Sequence, residues 1–337
     1  MRLAIVTVSF NTEKVLYRSL ESFYKTLPTY MATDIDYFVL DNGSEDHTLE
    51  MLKRDFPQVK IIEYGENLGF GEAHNKFFAK HIDDYEFFLL ANPDLRFEQG
   101  WLSELLDQMR SNKKLAALNP LIFYDDEFFP ISLEIRGRDV FLHHKDYRFL
   151  ADPVGRENVI TQEREISGMR FVKVPPGRYF AYLDVKEKKV ELNIYNMSLD
   201  PYALKLDRYE IKQGIVHSLL KKILFKLGII NEGVKFKHLE IKLEKIFGYR
   251  RTPSPVRIIN SFGARIRAGE ELPDNNYFGQ QLEQTNFEPE KAEFFHGACV
   301  LLRAEALMQI LNEEGYIFDP DFFMFLEESD LSRRLRG

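Results

Sequence analysis

The stretch Tyr85-Glu-Phe-Phe-Leu-Leu-Ala-Asn-Pro-Asp94 decides the fold of this chain. Phe87–Ala91 is a run of consecutive apolar residues of strand length, and no polar residue alternates with them. Such a run predicts a strand covered on both faces, as in the middle of a parallel sheet. Pro93 has no N–H group and a fixed φ, so the strand should end there and leave Asp94 just beyond its carboxyl end. In open α/β sheets, ligands bind at this edge.

Strand-like and helix-like segments alternate on both sides of this stretch. Apolar runs at 3–10, 35–40 and 59–64 are each followed by apolar residues at helical spacing, and further strands are indicated at 115–123 and 295–302. This alternation predicts an α/β fold with a mostly parallel central sheet flanked by helices. No Gly-x-Gly-x-x-Gly or Gly-Lys-Ser/Thr motif follows the first strand, which disfavours dinucleotide oxidoreductases and P-loop enzymes.

The composition excludes several other classes. The 337 residues carry a formal net charge of −8, which argues against a nucleic-acid partner because phosphate backbones favour a basic surface. The single cysteine, Cys299, permits no internal disulfide bond and fits a reducing compartment. No apolar run approaches the ~18–20 residues that cross a bilayer. We therefore expect a cytoplasmic protein.

The alternation stops at Asp125 and returns after Pro255. We expect residues 1–124 and 256–337 to form one domain and 125–255 to be a large α+β insertion. Within the insertion, β-like runs at 179–185 and 190–195 flank a Lys/Glu turn and suggest a hairpin. Residues 215–227 suggest an amphipathic helix, in a region (205–251) with 12 Lys and Arg against 5 Asp and Glu. This basic helix either packs on the hairpin or contacts an anionic membrane surface.

Acidic residues stand at three predicted strand ends or helix starts. They are Asp41, Asp94 and the cluster Glu327, Glu328 and Asp330. Each alone is explained by a turn or by the helix dipole. Together they are the groups that a nucleotide-sugar enzyme needs: carboxylates for a divalent cation and for a nucleobase, and a carboxylate base for a hydroxyl.

Six segments, all in the family's order, resemble the family 2 glycosyltransferases of the type A glycosyltransferase fold. The resemblance is strongest to the rhamnosyltransferase-like branch, which builds bacterial surface polysaccharides. The segments are Ile5-Val-Thr-Val-Ser-Phe-Asn11, Val39-Leu-Asp-Asn-Gly-Ser44, Asn67-Leu-Gly-Phe-Gly71 with Asn75, Leu89-Leu-Ala-Asn-Pro-Asp94, Gly297-Ala-Cys-Val-Leu-Leu-Arg303 and Phe322-Phe-Met-Phe-Leu-Glu-Glu-Ser-Asp-Leu331. They leave the middle of the chain unmatched.

The resemblance implies a set of donor-binding residues. These are Thr7, Ser9 and Asn11 along the nucleotide, Asp41 at the base, Asn67 and Gly69 of one motif at the nucleoside, and Asn92 and Asp94 at the Asp-x-Asp position. Asp94 matches the metal-binding aspartate of that motif, so the implied cofactor is Mg²⁺ or Mn²⁺. The implied donor is a nucleoside-diphosphate sugar, whose departing diphosphate the cation stabilises.

The resemblance places the catalytic base in the C-terminal cluster. Glu328 stands where the family usually has an aspartate, and Asp330 follows as a supporting acid. Because the side chain at 328 is one methylene longer than usual, Glu327, Glu328 and Asp330 all stay candidates. The implied reaction is an inverting transfer, in which the base takes the proton of an acceptor hydroxyl as it attacks the anomeric carbon. The acceptor would be a saccharide or a lipid-linked saccharide, which would make the enzyme peripheral to the membrane.

Two other classes stay open. A noncatalytic relative of the same fold would bind a nucleotide sugar or a polysaccharide without transfer, and the Glu at 328 keeps this alternative open. A sugar-nucleotide pyrophosphorylase would carry a Gly-rich loop with Arg or Lys directly after the first strand, whereas this chain has Ser9-Phe-Asn-Thr12 there.

Overall fold

A computed structural model describes the chain in segments. They are 2–31, 33–135, 140–143, 150–151, 163–166, 169–174, 177–184, 189–195, 204–206, 236–242, 255–265, 274–275, 282, 292–323 and 326–336. The chain divides into two compact units. The first comprises Met1–Ile122, Ser261–Asn276 and Glu288–Gly337, and the second comprises Phe123–Asn260 and Tyr277–Phe287.

The strands and helices are numbered in chain order. The strands are β1 (Leu3–Ser9), β2 (Ile35–Asp41), β3 (Lys60–Glu63), β4 (Phe87–Ala91), β5 (Ala117–Leu118), β6 (Ile122–Phe123), β7 (Phe128–Ile135), β8 (Val140–His143), β9 (Leu150–Ala151), β10 (Glu163–Ile166), β11 (Met169–Val174), β12 (Gly177–Asp184), β13 (Lys189–Tyr195), β14 (Leu204–Leu206), β15 (Phe236–Lys242), β16 (Ile259–Ser261), β17 (Ala264–Arg265), β18 (Asp274–Asn275) and β19 (Cys299–Arg303). The helices are α1 (Glu13–Thr26), α2 (Thr48–Asp55), α3 (Gly69–His81), α4 (Trp101–Ser111), α5 (Ala304–Glu314) and α6 (Glu327–Arg334).

The first unit is built on a six-stranded sheet with the order β3-β2-β1-β4-β19-β5. The pairs β1–β2, β1–β4 and β2–β3 are parallel, and β19 runs antiparallel to both β4 and β5. Helices connect the parallel strands, as such crossovers require. The predicted fold class, a mostly parallel central sheet flanked by helices, is therefore confirmed.

The central strand β4 is buried along its whole length, between β1 and β19. Its side chains alternate between two apolar clusters, one on each face of the sheet. Phe87, Leu89 and Ala91 pack into the first cluster, and Phe88 and Leu90 into the second. Each buried Phe or Leu contributes about 1.5–3 kcal/mol, which explains why this run carries no polar residue.

Two predicted strands have different bounds in the structure. The run at 115–123 is divided into β5, which pairs with β19, and β6, which pairs with β16. Pro120 lies between them and has no N–H to donate to a ladder. The run at 295–302 begins its pairing only at Cys299, because residues 295–298 form a loop whose N–H groups bond to side chains.

The second unit contains two antiparallel sheets, with the orders β10-β11-β8-β13-β15 and β14-β7-β12-β9. The two runs predicted as a hairpin form β12 and β13, but the hairpin prediction is wrong. β12 pairs with β7 and β9, whereas β13 pairs with β8 and β15, so the two strands lie in different sheets. Local sequence indicates each strand but not the partner at its edges. The basic helix predicted at 215–227 lies outside the described residues.

Candidate active site

The topology brings the predicted site residues to one edge of the first sheet. The parallel strands β1, β2 and β4 all end there, and the antiparallel β19 begins there. Since neighbouring strands lie about 4.8 Å apart, the ends of β2 and β4, with β1 between them, are roughly 10 Å apart. This is the edge at which open α/β sheets bind ligands.

Asp41 ends β2 and is almost fully buried, with 1% exposure. Its Oδ2 accepts hydrogen bonds from the N–H groups of Gly43 (3.1 Å) and Ser44 (2.9 Å). Its Oδ1 is buried and has no hydrogen-bond partner. A buried acceptor without a donor costs free energy, so an N–H group of a ligand that reached Oδ1 would be bound favourably.

Asn67 and Gly69 are held together by a residue that was not among the predicted site residues. The Asn42 side chain donates to Asn67 Oδ1 (3.3 Å) and to the Gly69 carbonyl (2.9 Å), while Asn67 Oδ1 also accepts the Gly69 N–H (3.0 Å). Asn67 itself is exposed. The Asp41-Asn42-Gly43 sequence was the available signal for Asn42, but it equally indicates an ordinary turn.

Gly69 allows a close approach between α3 and the C-terminal segment. Its φ is +77°, and a Cβ at this position would lie 2.4 Å from the carbonyl oxygen of Phe323. A residue with a side chain would be strained at this positive φ and would have no room for its Cβ. Gly69 therefore contributes its backbone and its small size to the site.

The three predicted residues of β1 and its following loop are placed differently. Thr7 and Ser9 are fully buried, and their hydroxyls hydrogen-bond Tyr37 (2.9 Å) and Thr12 (2.7 Å) respectively. Asn11 is exposed at a φ of +54°, and its Oδ1 accepts the N–H groups of Glu45 (2.7 Å) and Asp46 (3.2 Å). Of the three, only Asn11 reaches the solvent-exposed edge.

Asn92 and Asp94 lie just beyond β4. The Asn92 N–H donates to the Ala298 carbonyl (2.8 Å), which continues the contact between β4 and the chain before β19. Asn92 is half-buried, whereas Asp94 is exposed to solvent. Asp94 is thus an accessible carboxylate at the ligand-binding edge.

The described residues contain no cluster of three or more His, Cys, Asp and Glu side chains that could hold a metal ion. Asp94 is instead a single carboxylate with an amide, Asn92, two residues before it. Mg²⁺ is commonly bound by one or two carboxylates plus substrate phosphates. The residues present therefore fit a cation that is shared with a diphosphate.

The acidic cluster lies in the first turn of α6, and its members differ in environment. Glu327 is 5% exposed, one of its carboxylate oxygens has no partner, and burial raises the pKa of its carboxyl group. Glu328 is half-buried, and burial raises the pKa of this group too. Asp330 instead pairs with Arg334 at 2.6 Å. Arg334 also donates to the Ile317 carbonyl, so the Asp330 pair joins α6 to the preceding segment.

Cys299 does not have the properties of a nucleophile, and His296 is an uncharged, partly buried imidazole. Burial raises the pKa of the Cys299 thiol to about 12, so the thiol stays protonated at neutral pH. The Nδ1 of His296 accepts the Ala298 N–H at 3.2 Å, and burial lowers the pKa of the imidazole. His296 is therefore neutral, with its proton on Nε2.

Residues 4–174, half of the chain, match the family model described as Glycosyl transferase family 2. The chain belongs to this family. The type A glycosyltransferase fold that the resemblance implied agrees with the sheet of the first unit. No helix in the described part of this family 2 chain has the length and apolar character to span a membrane.

Two curated relatives are similar to part of this chain. They are the N-acetylglucosaminyl-diphospho-decaprenol L-rhamnosyltransferases of Mycobacterium tuberculosis strains H37Rv and CDC 1551. Each is 31% identical over 114 residues, which cover 31% of this chain and 36% of the relative. The predicted resemblance to family 2 and its rhamnosyltransferase-like branch is confirmed, although the match spans only about a third of the relatives' length.

Solved structures with a similar fold cover about a third of this chain. One is Staphylococcus aureus TarS 1–349 in complex with UDP-GlcNAc. It is 17% identical, and the match covers 38% of this chain and 39% of the TarS chain, with a TM-score of 0.31. The mannosyltransferase PcManGT of Pyrobaculum calidifontis, in complex with GDP-Man and Mn²⁺, is 16% identical and covers 34% of each chain, with a TM-score of 0.30.

Proposed function

We propose that this chain is an inverting glycosyltransferase of surface polysaccharide synthesis. It transfers a sugar from a nucleoside-diphosphate sugar to a hydroxyl of a saccharide or lipid-linked saccharide. The observation that carries the proposal is the location of Asp41, with its unpartnered carboxylate oxygen, and of the exposed Asp94 at one edge of the sheet of a family 2 chain. The names of the curated relatives make a rhamnosyl donor and a lipid-linked acceptor the first pair to test.

The donor nucleotide binds along the loops after β1 and β2. Asp41 Oδ1 accepts an N–H of the base, since it is a buried carboxylate oxygen without a partner at this edge of the sheet. Asn67 and Asn11 are the exposed amides beside it, and Asn42 fixes Asn67. Thr7 and Ser9 support the nucleotide-binding loops from within the protein, because their hydroxyls are buried and bonded to Tyr37 and Thr12.

Asp94, assisted by Asn92, would hold a Mg²⁺ or Mn²⁺ ion together with the donor diphosphate. When bound, this ion neutralises the charge that develops on the departing nucleoside diphosphate. The exposed carboxylate of Asp94 would position the diphosphate at this edge of the sheet.

Glu328 is the base that receives the proton of the acceptor hydroxyl. Its raised pKa brings its basicity closer to what proton abstraction at neutral pH requires, and it is still partly accessible. Glu327 is too enclosed to reach an acceptor, and Asp330 is engaged with Arg334. The oxygen–carbon bond to the sugar forms as the bond to the diphosphate breaks, so no covalent enzyme intermediate is needed.

The catalytic domain in this proposal comprises residues 1–124 and 256–337, with 125–255 as a separate subdomain. Membrane contact through the basic helix at 215–227 stays a prediction, as does location at the inner face of the membrane.

The test is nucleotide release by the intact protein from a panel of nucleoside-diphosphate sugars in Mn²⁺, with and without a lipid extract. The proposal expects release from one donor that requires the metal and increases with the lipid acceptor. The noncatalytic alternative expects a donor to bind in calorimetry without release under any of these conditions. Binding without release would therefore overturn the proposed function in favour of that alternative.

A further inference from the structure

Asn119, which lies outside the proposed set of site residues, joins two distant parts of the first unit. Its Oδ1 accepts the His296 N–H (2.8 Å), and its Nδ2 donates to the carbonyl oxygens of His296 (3.0 Å) and Cys299. These partners are 177 and 180 positions away along the chain. The carboxamide thus makes the hydrogen bonds that a backbone amide makes in a sheet. It continues the β5–β19 pairing at a point where Pro120 has no N–H to donate.

The loop 295–298 is held by three different elements. Besides Asn119, the Asn92 N–H beyond β4 donates to Ala298 O, and Ser332 Oγ on α6 accepts the Phe295 N–H at 3.0 Å. Asn119 makes more of these bonds than either of the other two. It is also the only one of the three that bonds to both backbone groups of His296, at the centre of the loop.

This loop is the surface against which Glu328 rests. A Cβ at Gly297 would lie 3.4 Å from both Cβ and Cγ of Glu328 and 3.6 Å from its Cδ, so the Glu328 side chain lies beside this loop, separated from the Gly297 backbone by the space of a methyl group. Ser332 also connects the two, since its hydroxyl accepts from Phe295 N–H and donates to Glu328 O at 2.6 Å. A shift of the loop towards α6 would therefore press on the Glu328 side chain, and a shift away from it would enlarge the space in which that side chain moves.

We propose that Asn119 is a positioning residue for the Glu328 carboxylate, which it fixes by holding the loop 295–298 in place. This inference rests on the proposed function of Glu328 as the base. Proton abstraction requires hydrogen-bond distance to the acceptor hydroxyl, and a displacement of about 1 Å can cost up to ~100-fold in rate. Asn119 touches neither the donor nor the acceptor in this scheme.

Two variants separate positioning from space filling. Asn119→Ala removes all the bonds of the carboxamide. Asn119→Asp keeps the volume and the acceptor for His296 N–H but places a carboxylate oxygen against the two carbonyls. A residue that only fills space would tolerate Asp better than Ala, whereas a bond-donating residue would not. Asn112→Asp is the matched control, because this exposed residue at the end of α4 uses its Oδ1 only to accept the Lys114 N–H.

The measurements are turnover, nucleotide affinity by calorimetry, and amide hydrogen exchange of the intact protein. We expect both Asn119 variants to lose roughly 10- to 100-fold in turnover with nucleotide affinity nearly unchanged. Exchange should accelerate at 295–298 and in the first turn of α6, but not in α1. The Asn112→Asp protein should match the wild type throughout.

Wild-type turnover in Asn119→Asp, or an equal fall of turnover and nucleotide affinity in both variants, would overturn the inference. Unchanged exchange at 295–298 would overturn it as well. If the wild-type protein transfers no sugar, the proposed function fails and the catalytic role of Asn119 fails with it. The exchange data would then still report whether Asn119 holds the loop, so the two failures are distinguishable.

Discussion

The two sides of the candidate active site hold their loops in different ways. On the donor side, the loop after β2 is held mainly by its own residues and by Asn11, as when Asp41 accepts from Gly43 and Ser44. On the base side, the loop 295–298 is held by side chains that are far away in the chain, Asn119 and Ser332. The donor-side loop therefore has bonds within itself besides those to Asn11, 34 and 35 positions away, whereas the base-side loop is tied to residues 37 and 177 positions away.

The carboxylates of the two sides also differ in their environments. Asp41 is buried but receives two backbone N–H bonds, and Asp94 is exposed to solvent. Glu327 is buried and Glu328 is half-buried, and burial raises the pKa of both carboxyl groups. The base side is thus suited to accepting a proton.

The largest expected effect on nucleotide binding is on the donor side. Asp94→Ala should reduce Mn²⁺-dependent nucleotide affinity by at least about 100-fold, because the variant removes the protein carboxylate that shares the cation with the diphosphate. Calorimetry with and without Mn²⁺ measures this. Asp107→Ala, on the exposed surface of α4, is the control and should bind like the wild type. Equal affinity for Asp94→Ala and the wild type would remove Asp94 from the proposed metal site.

Gly69 tests the contact between α3 and the C-terminal segment. Gly69→Ala should destabilise the protein by several kcal/mol, since it adds a 2.4 Å clash with Phe323 O to the strain of a positive φ. Gly65→Ala is a matched control, because Gly65 has a φ of +76° but nothing within 4 Å of its Cβ position. It should show only the strain, about 1–2 kcal/mol. Denaturant unfolding that gave equal losses for the two variants would contradict the clash.

A buried histidine on α3 should make the unfolding free energy fall in acid. Burial lowers the pKa of His74 to about 4, and its Nδ1 donates to the Phe70 carbonyl at 2.8 Å. Because the folded-state pKa is below the unfolded one, the stabilisation is present above about pH 6.5 and is lost as the pH falls towards 4. The loss should be about 3 kcal/mol. His74→Phe should flatten this slope, whereas the exposed His47→Gln should retain it, and a slope that survives His74→Phe would exclude His74 as its source.

Glu327 should have a smaller effect of opposite sign. Burial raises the pKa of this carboxyl group, so the folded state favours the protonated form and loses stability as the pH rises through the folded-state pKa. Glu327→Gln should therefore raise the melting temperature by a few degrees at neutral pH and have no effect in acid. Thermal unfolding at several pH values measures the difference. A lower melting temperature at neutral pH would show that the ionised carboxylate stabilises the fold.

The same contrast explains which features could be predicted from the sequence. The apolar run Phe87–Ala91 predicted a central strand because burial on both faces excludes polar residues, and the structure places it between β1 and β19. The donor-side residues follow strands directly, so their location at the sheet edge follows from topology. The placement of Thr7 and Ser9 along the nucleotide stays a prediction from the resemblance, since the sequence of a strand does not show whether a hydroxyl faces a ligand or a protein group such as Tyr37.

The base side was predicted less completely for a physical reason. Asn119 and Ser332 make their bonds to residues 177 and 37 positions away, and no local pattern records such pairs. Asn119 and Pro120 in fact interrupt a run that was predicted as one strand. The wrong hairpin has the same cause, because strand partners are chosen by tertiary packing rather than by the residues of the strand itself.

The central claim is that the base side performs proton abstraction through Glu328 while the donor side binds independently. The most direct test compares Glu328→Gln and Glu327→Gln for turnover and for nucleotide affinity. We predict that Glu328→Gln lowers turnover by about 10²–10⁴ with nucleotide affinity unchanged, and that Glu327→Gln retains most of its turnover. Near-normal turnover in Glu328→Gln, with the loss in Glu327→Gln instead, would contradict the assignment of the base.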